Sequence, residues 1–103
     1  MTNKKQSVGI LGAGISGLSA AYKLSQKNID ITVYEKDNQV GGAIKTNSKN
    51  GWLVEEGPNT LMVKSKEVWD LLEDLNLINS SIEASKTAQK RFIVKNGHPT
   101  PLP

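Results

Sequence analysis

A glycine-rich turn between an apolar run and a helix-forming segment constrains this chain more than any other feature. Val8 to Leu11 is apolar and ends at Gly12, which predicts a buried strand. Ile15 to Lys27 predicts a helix with Ile15, Leu18 and Tyr22 on its apolar stripe. Ile29 to Glu35 is rich in β-branched residues, which favour a second strand. These segments predict an α/β fold containing a β–α–β unit with parallel strands.

The turn matches the G-x-G-x-x-G pattern of dinucleotide-binding folds. Its first glycine permits a tight turn, its second lets a pyrophosphate approach the backbone, and its third lets the helix pack closely on the strand. The start of the helix then offers unpaired N–H groups to the phosphates. We predict that the whole turn binds a dinucleotide. Its residues are Gly12, Ala13, Gly14, Ile15, Ser16 and Gly17.

An acidic residue ends the second predicted strand. Glu35 follows the glycines at roughly the 20-residue distance at which a carboxylate accepts hydrogen bonds from the adenosine ribose. Its negative charge disfavours a 2′-phosphate, and therefore NADP. Lys36 is the next residue, and we consider both a position beside the adenosine and a solvated position for it.

The later segments predict smaller elements. An Asn-Gly pair at 50–51 joins two short strands, and a second pair at 96–97 joins two more. Between them, Ser65 precedes a helix with an apolar stripe at i, i+3, i+4 and i+7. The expected fold is thus a partial Rossmann-like β–α–β unit with an appended β-hairpin, helix and C-terminal strand pair. The predicted strands cover 43–47, 52–55, 91–95 and 98–103, and the stripe consists of Val68, Leu71, Leu72 and Leu75.

Composition excludes several function classes. The chain has no cysteine, which excludes disulfides and thiolate chemistry, and its single histidine argues against a histidine-based metal site. The net charge of +3 is concentrated towards the ends and forms no basic stripe, so we expect no nucleic-acid partner. Residues 1–7 are polar and expected to be flexible, without the apolar core of a secretory signal, which favours a cytoplasmic location. No nucleophile–base pair is evident, so we predict no catalytic residue and no metal ligand.

The stretch from Val8 to Thr46 resembles the amine-oxidase-like flavoprotein superfamily. There the fingerprint and acidic strand end are followed by a Gly-Gly pair and a threonine, which are Gly41, Gly42 and Thr46 in this chain. The resemblance implies that the cofactor is FAD and that the segment from Gly41 to Ala43 approaches its phosphates and ribityl chain. Members often carry arginine after the glycine pair, where this chain has Ala43.

Two further motifs resemble protoporphyrinogen oxidases. Residues 55–60 (E-E-G-P-N-T) match their E-x-G-P-[ND]-[ST] stretch, and residues 91–97 with 101–103 match their R-[YF]-[IV] strand, N-G turn and P-L-P. The resemblance implies that a loop of four residues lies near the flavin: Gly57, Pro58, Asn59 and Thr60. Glu56 matches the family's glutamate, for which we consider both a role beside the cofactor and a role in anchoring the loop.

The resemblance also implies an activity. The intact enzyme would oxidise protoporphyrinogen IX to protoporphyrin IX with oxygen in haem biosynthesis, and a related branch acts on coproporphyrinogen. Such enzymes are soluble or peripheral on the inner face of the cell membrane, and often dimeric. We expect residues 1–103 to be the inactive N-terminal FAD-binding segment of a larger flavoenzyme. Residues 8–46 would form the dinucleotide-binding unit, and 47–103 would begin the FAD- and substrate-side region.

Alternative functions remain at this point. A phytoene-desaturase-like enzyme or an amine oxidase would share the fingerprint but differ from Gly57 onward. A non-catalytic NAD-binding module would need a self-sufficient sheet, whereas only two strands here clearly belong to one.

Overall fold

The structure, a computed structural model, describes residues 4–102. The chain divides into two compact units between Leu61 and Met62. The first unit contains both the segment at 8–46 and the first hairpin. The functional boundary expected between residues 46 and 47 stays a prediction.

The first unit opens with the predicted β–α–β arrangement. Strand β1 (Gln6–Leu11) leads into helix α1 (Ile15–Ser25), which leads into strand β2 (Ile29–Tyr34). The two strands are parallel, with Gln6 opposite Ile29 and Leu11 opposite Tyr34, which confirms the predicted pairing. Strand β1 starts two residues earlier than expected, so Gln6 and Ser7 belong to the sheet and not to the flexible segment predicted for residues 1–7. Residues 1–3 of that prediction lie outside the described residues.

Helix α1 packs on this sheet with a different face from the one predicted. Gly17, Ala21 and Leu24 are half-buried, whereas Ile15 is 61% exposed and Leu18 is also exposed. The predicted apolar stripe was therefore wrong at two of its positions, although Tyr22 is half-buried as expected. The physical reason is close approach at Gly17 and Ala21, whose small size lets this part of the helix lie near β1 and the turn.

The first unit continues into an antiparallel hairpin of β3 (Thr46–Lys49) and β4 (Trp52–Glu55). Its turn residues Asn50 and Gly51 have φ angles of 53° and 79°. Two consecutive positive φ values are required by the type I′ turn, which matches the twist of a hairpin. The Asn-Gly prediction is confirmed.

The second unit contains helix α2 (Lys66–Asp74) and the antiparallel strands β5 (Phe92–Lys95) and β6 (His98–Pro101). Short 3-10 turns cover Ile78–Ser80 and Lys86–Gln89 between this helix and β5. Asn76 ends the α2 region with a φ of 56°, a left-handed conformation that asparagine tolerates. The predicted hairpin, helix and C-terminal strand pair are all present.

Two properties of the described residues bear on function. Within residues 4–102, no helix is both long enough and apolar enough to cross a bilayer. Ala13 is the single fully buried apolar residue in the same range, at 1% exposure. Among the described apolar residues, the most buried one thus lies inside the glycine-rich turn.

Candidate functional site

The glycine-rich turn leaves β1 in a backbone conformation that favours glycine. Gly12 has a φ of 98°, and its N–H donates to the Tyr34 carbonyl at 2.7 Å, which extends the pairing between the two strands. Gly14 follows as the residue that caps α1, with an ordinary extended φ of −78°. Glycine is therefore required at Gly12 by the backbone conformation. At Gly14 any residue could adopt the backbone conformation, so a requirement for glycine there must be steric.

Space at Gly14 and Gly17 differs in a way that separates their roles. A Cβ on Gly17 would lie 2.0 Å from the carbonyl oxygen of Gly12, so helix and turn touch through backbone alone. A Cβ on Gly14 would meet no atom within 4 Å. Gly17 is required by packing inside the protein, and Gly14 keeps an open space beside the helix N-terminus.

Ala13 joins three segments of the site. Its N–H donates to Glu35 Oε2 at 2.7 Å, and its carbonyl accepts from the Gly41 N–H at 2.8 Å. The first bond ties the turn to the end of β2, and the second ties it to the Gly-Gly loop. Because Ala13 is buried, water cannot easily replace either bond. This residue therefore fixes the mutual position of the predicted phosphate, ribose and Gly-Gly segments.

Glu35 is held by backbone donors on both of its oxygens. Oε1 accepts from the Asp37 N–H at 3.0 Å, and Oε2 accepts from Ala13. These two bonds, with that of Asp37 the stronger influence, hold the pKa of Glu35 below its ordinary value of 4.5. A carboxylate offers about four acceptor positions, so the ionised Glu35 retains capacity for the hydroxyls of a ribose.

The Gly-Gly loop crosses close to the glycine-rich turn. Gly41 and Gly42 have φ values of 112° and 61°, and a Cβ on Gly42 would lie 3.3 Å from the Gly14 Cα. The next residue, Ala43, is approached by Gly57, where a Cβ would lie 2.0 Å from the Ala43 carbonyl oxygen. Glycine at these positions lets three backbone segments converge around one space.

Two adjoining cavities open at this convergence. The larger, of about 580 Å³, lies at the end of β2, and the smaller, of about 410 Å³, lies over the start of α1. Leu11, Gly12 and Gly14 line both. Besides these, the larger is lined by Tyr34, Glu35, Lys36, Asp37 and Gly42, and the smaller by Ile15, Ser16, Gly17, Gly41, Ala43, Ile44 and Pro58.

Eleven of the fifteen residues predicted for the site line the two cavities, and four do not: Ala13, Gly57, Asn59 and Thr60. Gly57 closely approaches Ala43, which lines the smaller cavity. Asn59 and Thr60 are exposed and line neither cavity. Glu56 accepts a hydrogen bond from the Asn47 side-chain amide, and its N–H donates to the Lys45 carbonyl at 2.8 Å. These contacts give Glu56 the loop-anchoring role of the two considered.

Four lining residues were missed in the sequence. Leu11 is 87% exposed and Tyr34 is 57% exposed, so both present apolar surface to the larger cavity. Asp37 and Ile44 complete the set. Each is adjacent or nearly so to a predicted site residue, which is the signal that could have identified them.

The cavities have the features that a dinucleotide requires. The open space at Gly14 is a cradle that a side chain would fill, and the first N–H groups of α1 have no partner within the helix. Glu35 supplies acceptors for a ribose at the neighbouring cavity. Their volumes fall in the range of about 300–1,000 Å³ typical of small-molecule sites. The residues present therefore fit an adenosine diphosphate moiety.

Comparison with known proteins agrees with this geometry. Protoporphyrinogen oxidase 2, chloroplastic/mitochondrial, of Arabidopsis thaliana is 43% identical over 96 residues, which are 93% of this chain and 19% of the relative. Coproporphyrinogen III oxidase of Staphylococcus aureus is 39% identical over 93 residues, 88% of this chain and 20% of the relative. The resemblance to protoporphyrinogen oxidases is thus confirmed, and the chain spans about a fifth of the length of these relatives.

The fold itself recurs in solved structures. Putrescine oxidase bound to putrescine superposes with a TM-score of 0.64 at 22% identity, covering 97% of this chain and 22% of that one. A family model described as an NAD(P)-binding Rossmann-like domain matches residues 10–75, which include the last two residues of β1, all of β2, both α-helices and every lining residue of the two cavities. Since that match extends over more than half of the chain, this protein belongs to the NAD(P)-binding Rossmann-like domain family.

Proposed function

We propose that this chain is the FAD-binding N-terminal part of an oxidoreductase that oxidises protoporphyrinogen IX to protoporphyrin IX with oxygen. The observation that carries the proposal is the convergence of the fingerprint, Glu35 and the Gly-Gly loop on Ala13. Sequence similarity to protoporphyrinogen oxidases over 93% of the chain supports the choice of substrate class. The small-molecule substrate would bind to parts of the protein beyond the matched fifth.

The residues of this chain bind and orient the cofactor. The turn from Gly12 to Gly17 would hold the pyrophosphate against backbone N–H groups, and Glu35 would accept hydrogen bonds from the adenosine ribose. FAD, when bound, supplies the acceptor for hydride from the substrate. The described chain contributes the position of its adenosine half, and we assign it no proton transfer.

A non-catalytic NAD-binding module is the second candidate. It is favoured by the family match, because NAD and FAD share the adenosine diphosphate moiety that the two cavities fit. The Gly-Gly loop distinguishes them in our proposal, since it extends the contact surface beyond the fingerprint. Titration of the purified protein with FAD and with NAD separates the two, and preferential binding of NAD would overturn the FAD assignment.

A chimera tests the activity. This chain replaces the matched first fifth of the Arabidopsis relative, and a Gly14→Val version serves as the matched control. We expect the chimera to purify yellow, to release FAD on heating and to generate porphyrin fluorescence from protoporphyrinogen IX. The control should purify colourless and inactive. A folded chimera without flavin would contradict FAD binding, and a flavin-loaded chimera that accepts only coproporphyrinogen would contradict the assigned substrate.

A further inference from the structure

The cavity over the start of α1 contains no charged side chain among the described residues that line it. Its surface consists of glycine backbone, apolar side chains and the hydroxyl of Ser16. A bound pyrophosphate would therefore be stabilised by backbone N–H groups and by the helix dipole, which amounts to about half a positive charge. Other phosphate-binding sites add an arginine or lysine to these contributions, which the glycine-rich turn does not require.

The neighbouring cavity makes the local charge negative. It is lined by Glu35, Lys36 and Asp37, two acidic side chains and one basic. Both carboxylates lie at the end of β2, beside the glycines shared by the two cavities. An anion in the smaller cavity is thus repelled by the net negative charge that lines the larger cavity. The described lining of the smaller cavity contains no cation that would offset this repulsion.

Ala43 lies where a cation could have been supplied. It lines the smaller cavity together with Pro58, and its carbonyl is packed against Gly57. A longer side chain at this position would extend from a backbone whose place is fixed. With alanine there, the pocket offers directional N–H donors but little net positive charge.

We propose that this pocket selects its ligand by phosphate charge, taking the internal diphosphate of a dinucleotide and discriminating against the terminal phosphates of ADP and ATP, with Ala43 as the residue that sets the selectivity. The inference rests on the proposed function, because it concerns the same site. In a dinucleotide each phosphate carries one negative charge. A terminal phosphate gains most of a second charge above its second pKa of about 6. One additional unneutralised charge is enough for a selectivity of about tenfold, since tenfold corresponds to about 1.4 kcal/mol.

The test compares two probes that differ at the terminal phosphate. ADP-ribose and ADP are titrated calorimetrically into the purified full chain at about pH 8, at low and high salt chosen to change the screening length roughly threefold. We expect ADP-ribose to bind at least about tenfold more tightly than ADP at low salt, and we expect this ratio to fall at high salt, where the additional charge of ADP is screened. Equal affinities for the two probes would overturn the selectivity.

Substitutions test the role of Ala43. Ala43→Lys should strengthen ADP binding by about tenfold at low salt and reduce the selectivity below about threefold. Ser48→Lys adds the same charge in β3, away from both cavities, and should change neither. If far-UV circular dichroism shows that Ala43→Lys is unfolded, Ile44→Lys introduces a cation into the same cavity. A folded lysine variant with unchanged ADP affinity would overturn the role assigned to the pocket charge.

The outcomes separate this inference from the proposed function. FAD binding without discrimination between ADP-ribose and ADP would refute charge selectivity and leave the proposed function in place. Failure of FAD, NAD and ADP-ribose alike to bind the folded chain would refute both.

Discussion

Replacing Gly17 with alanine tests how the glycine-rich turn is held against α1. The added Cβ would lie 2.0 Å from the Gly12 carbonyl oxygen and 3.3 Å from Ile10 Cγ2, where ordinary contact begins at 3.4 Å. The helix and the turn would have to separate by about 1.4 Å, because a backbone carbonyl cannot rotate away as a side chain does. Overpacking of this kind costs about 1–3 kcal/mol, and alanine returns up to about 1 kcal/mol of helix propensity. Because 2.0 Å is far inside ordinary contact, we take the upper end of that range and expect a net loss of about 2 kcal/mol in the free energy of unfolding.

Gly14 provides the matched control within the same motif. A Cβ there meets no protein atom within 4 Å, and the φ of −78° suits any residue. Since alanine is a poorer N-cap than glycine, Gly14→Ala should lower the free energy of unfolding by less than about 1 kcal/mol. Because Gly14 lines both cavities, Gly14→Val should abolish FAD binding while preserving the fold.

Urea unfolding followed by far-UV circular dichroism measures the stabilities, and quenching of FAD fluorescence measures binding. The expected pattern is that Gly17→Ala loses stability and Gly14→Val loses only the ligand. If Gly17→Ala were as stable as the original chain, the packing argument would be refuted. Unchanged FAD affinity in Gly14→Val would show that this residue does not face the pyrophosphate.

Three further predictions follow from single residues. The pKa of Glu35 is lowered from 4.5 by backbone N–H donors, so its contribution to stability is present above pH 4.5 and is lost as the pH falls through the lowered value; urea midpoints between about pH 7 and pH 3 should fall less steeply in Glu35→Gln. Gly57→Ala places a Cβ 2.0 Å from the Ala43 carbonyl oxygen and should cost about 1–3 kcal/mol, whereas Gly9→Ala, at 3.4 Å from Tyr34, should be tolerated in the same assay. Asn76, with a φ of 56°, should accept glycine without loss, while Asn76→Ala should lower the thermal unfolding midpoint through a cost of about 1 kcal/mol.

The secondary structure was predictable because its signals are local. The β-branched run before Glu35 gave β2, and each Asn-Gly pair gave a hairpin turn with positive φ at both residues. The face of α1 was not predictable in the same way. The apolar pattern pointed to Ile15 and Leu18, but close approach at Gly17 turns the small-residue face to the sheet instead. Hydrophobic periodicity predicts that large apolar side chains face the sheet, and this prediction fails where contact between backbones decides the packing.

The candidate site also has a part that local sequence signals predict and a part that depends on tertiary contacts. The fingerprint and Glu35 were predictable because their spacing is fixed by the length of one β–α–β unit. The role of Ala13 was not, since its bonds to Glu35 and Gly41 depend on two loops meeting in space. Tyr34 lines the larger cavity because the parallel register places it opposite Leu11. The register between two strands cannot be predicted from the sequence of either strand alone.

In our proposal, ligand binding would add to the free energy of unfolding of the first unit. Parallel sheets are normally covered on both faces, yet β1 and β2 bury one face only partly, against α1. Among the described residues of this unit most large apolar side chains are exposed, and the hydrogen bonds of Ala13 join the turn to the end of β2 and to the Gly-Gly loop. A ligand that binds only the folded form adds about 2.7 kcal/mol at a concentration one hundred times its Kd. That contribution is larger than the net loss of about 2 kcal/mol expected for Gly17→Ala. In the proposed function, binding of the dinucleotide would therefore stabilise the same three backbone segments that Ala13 joins.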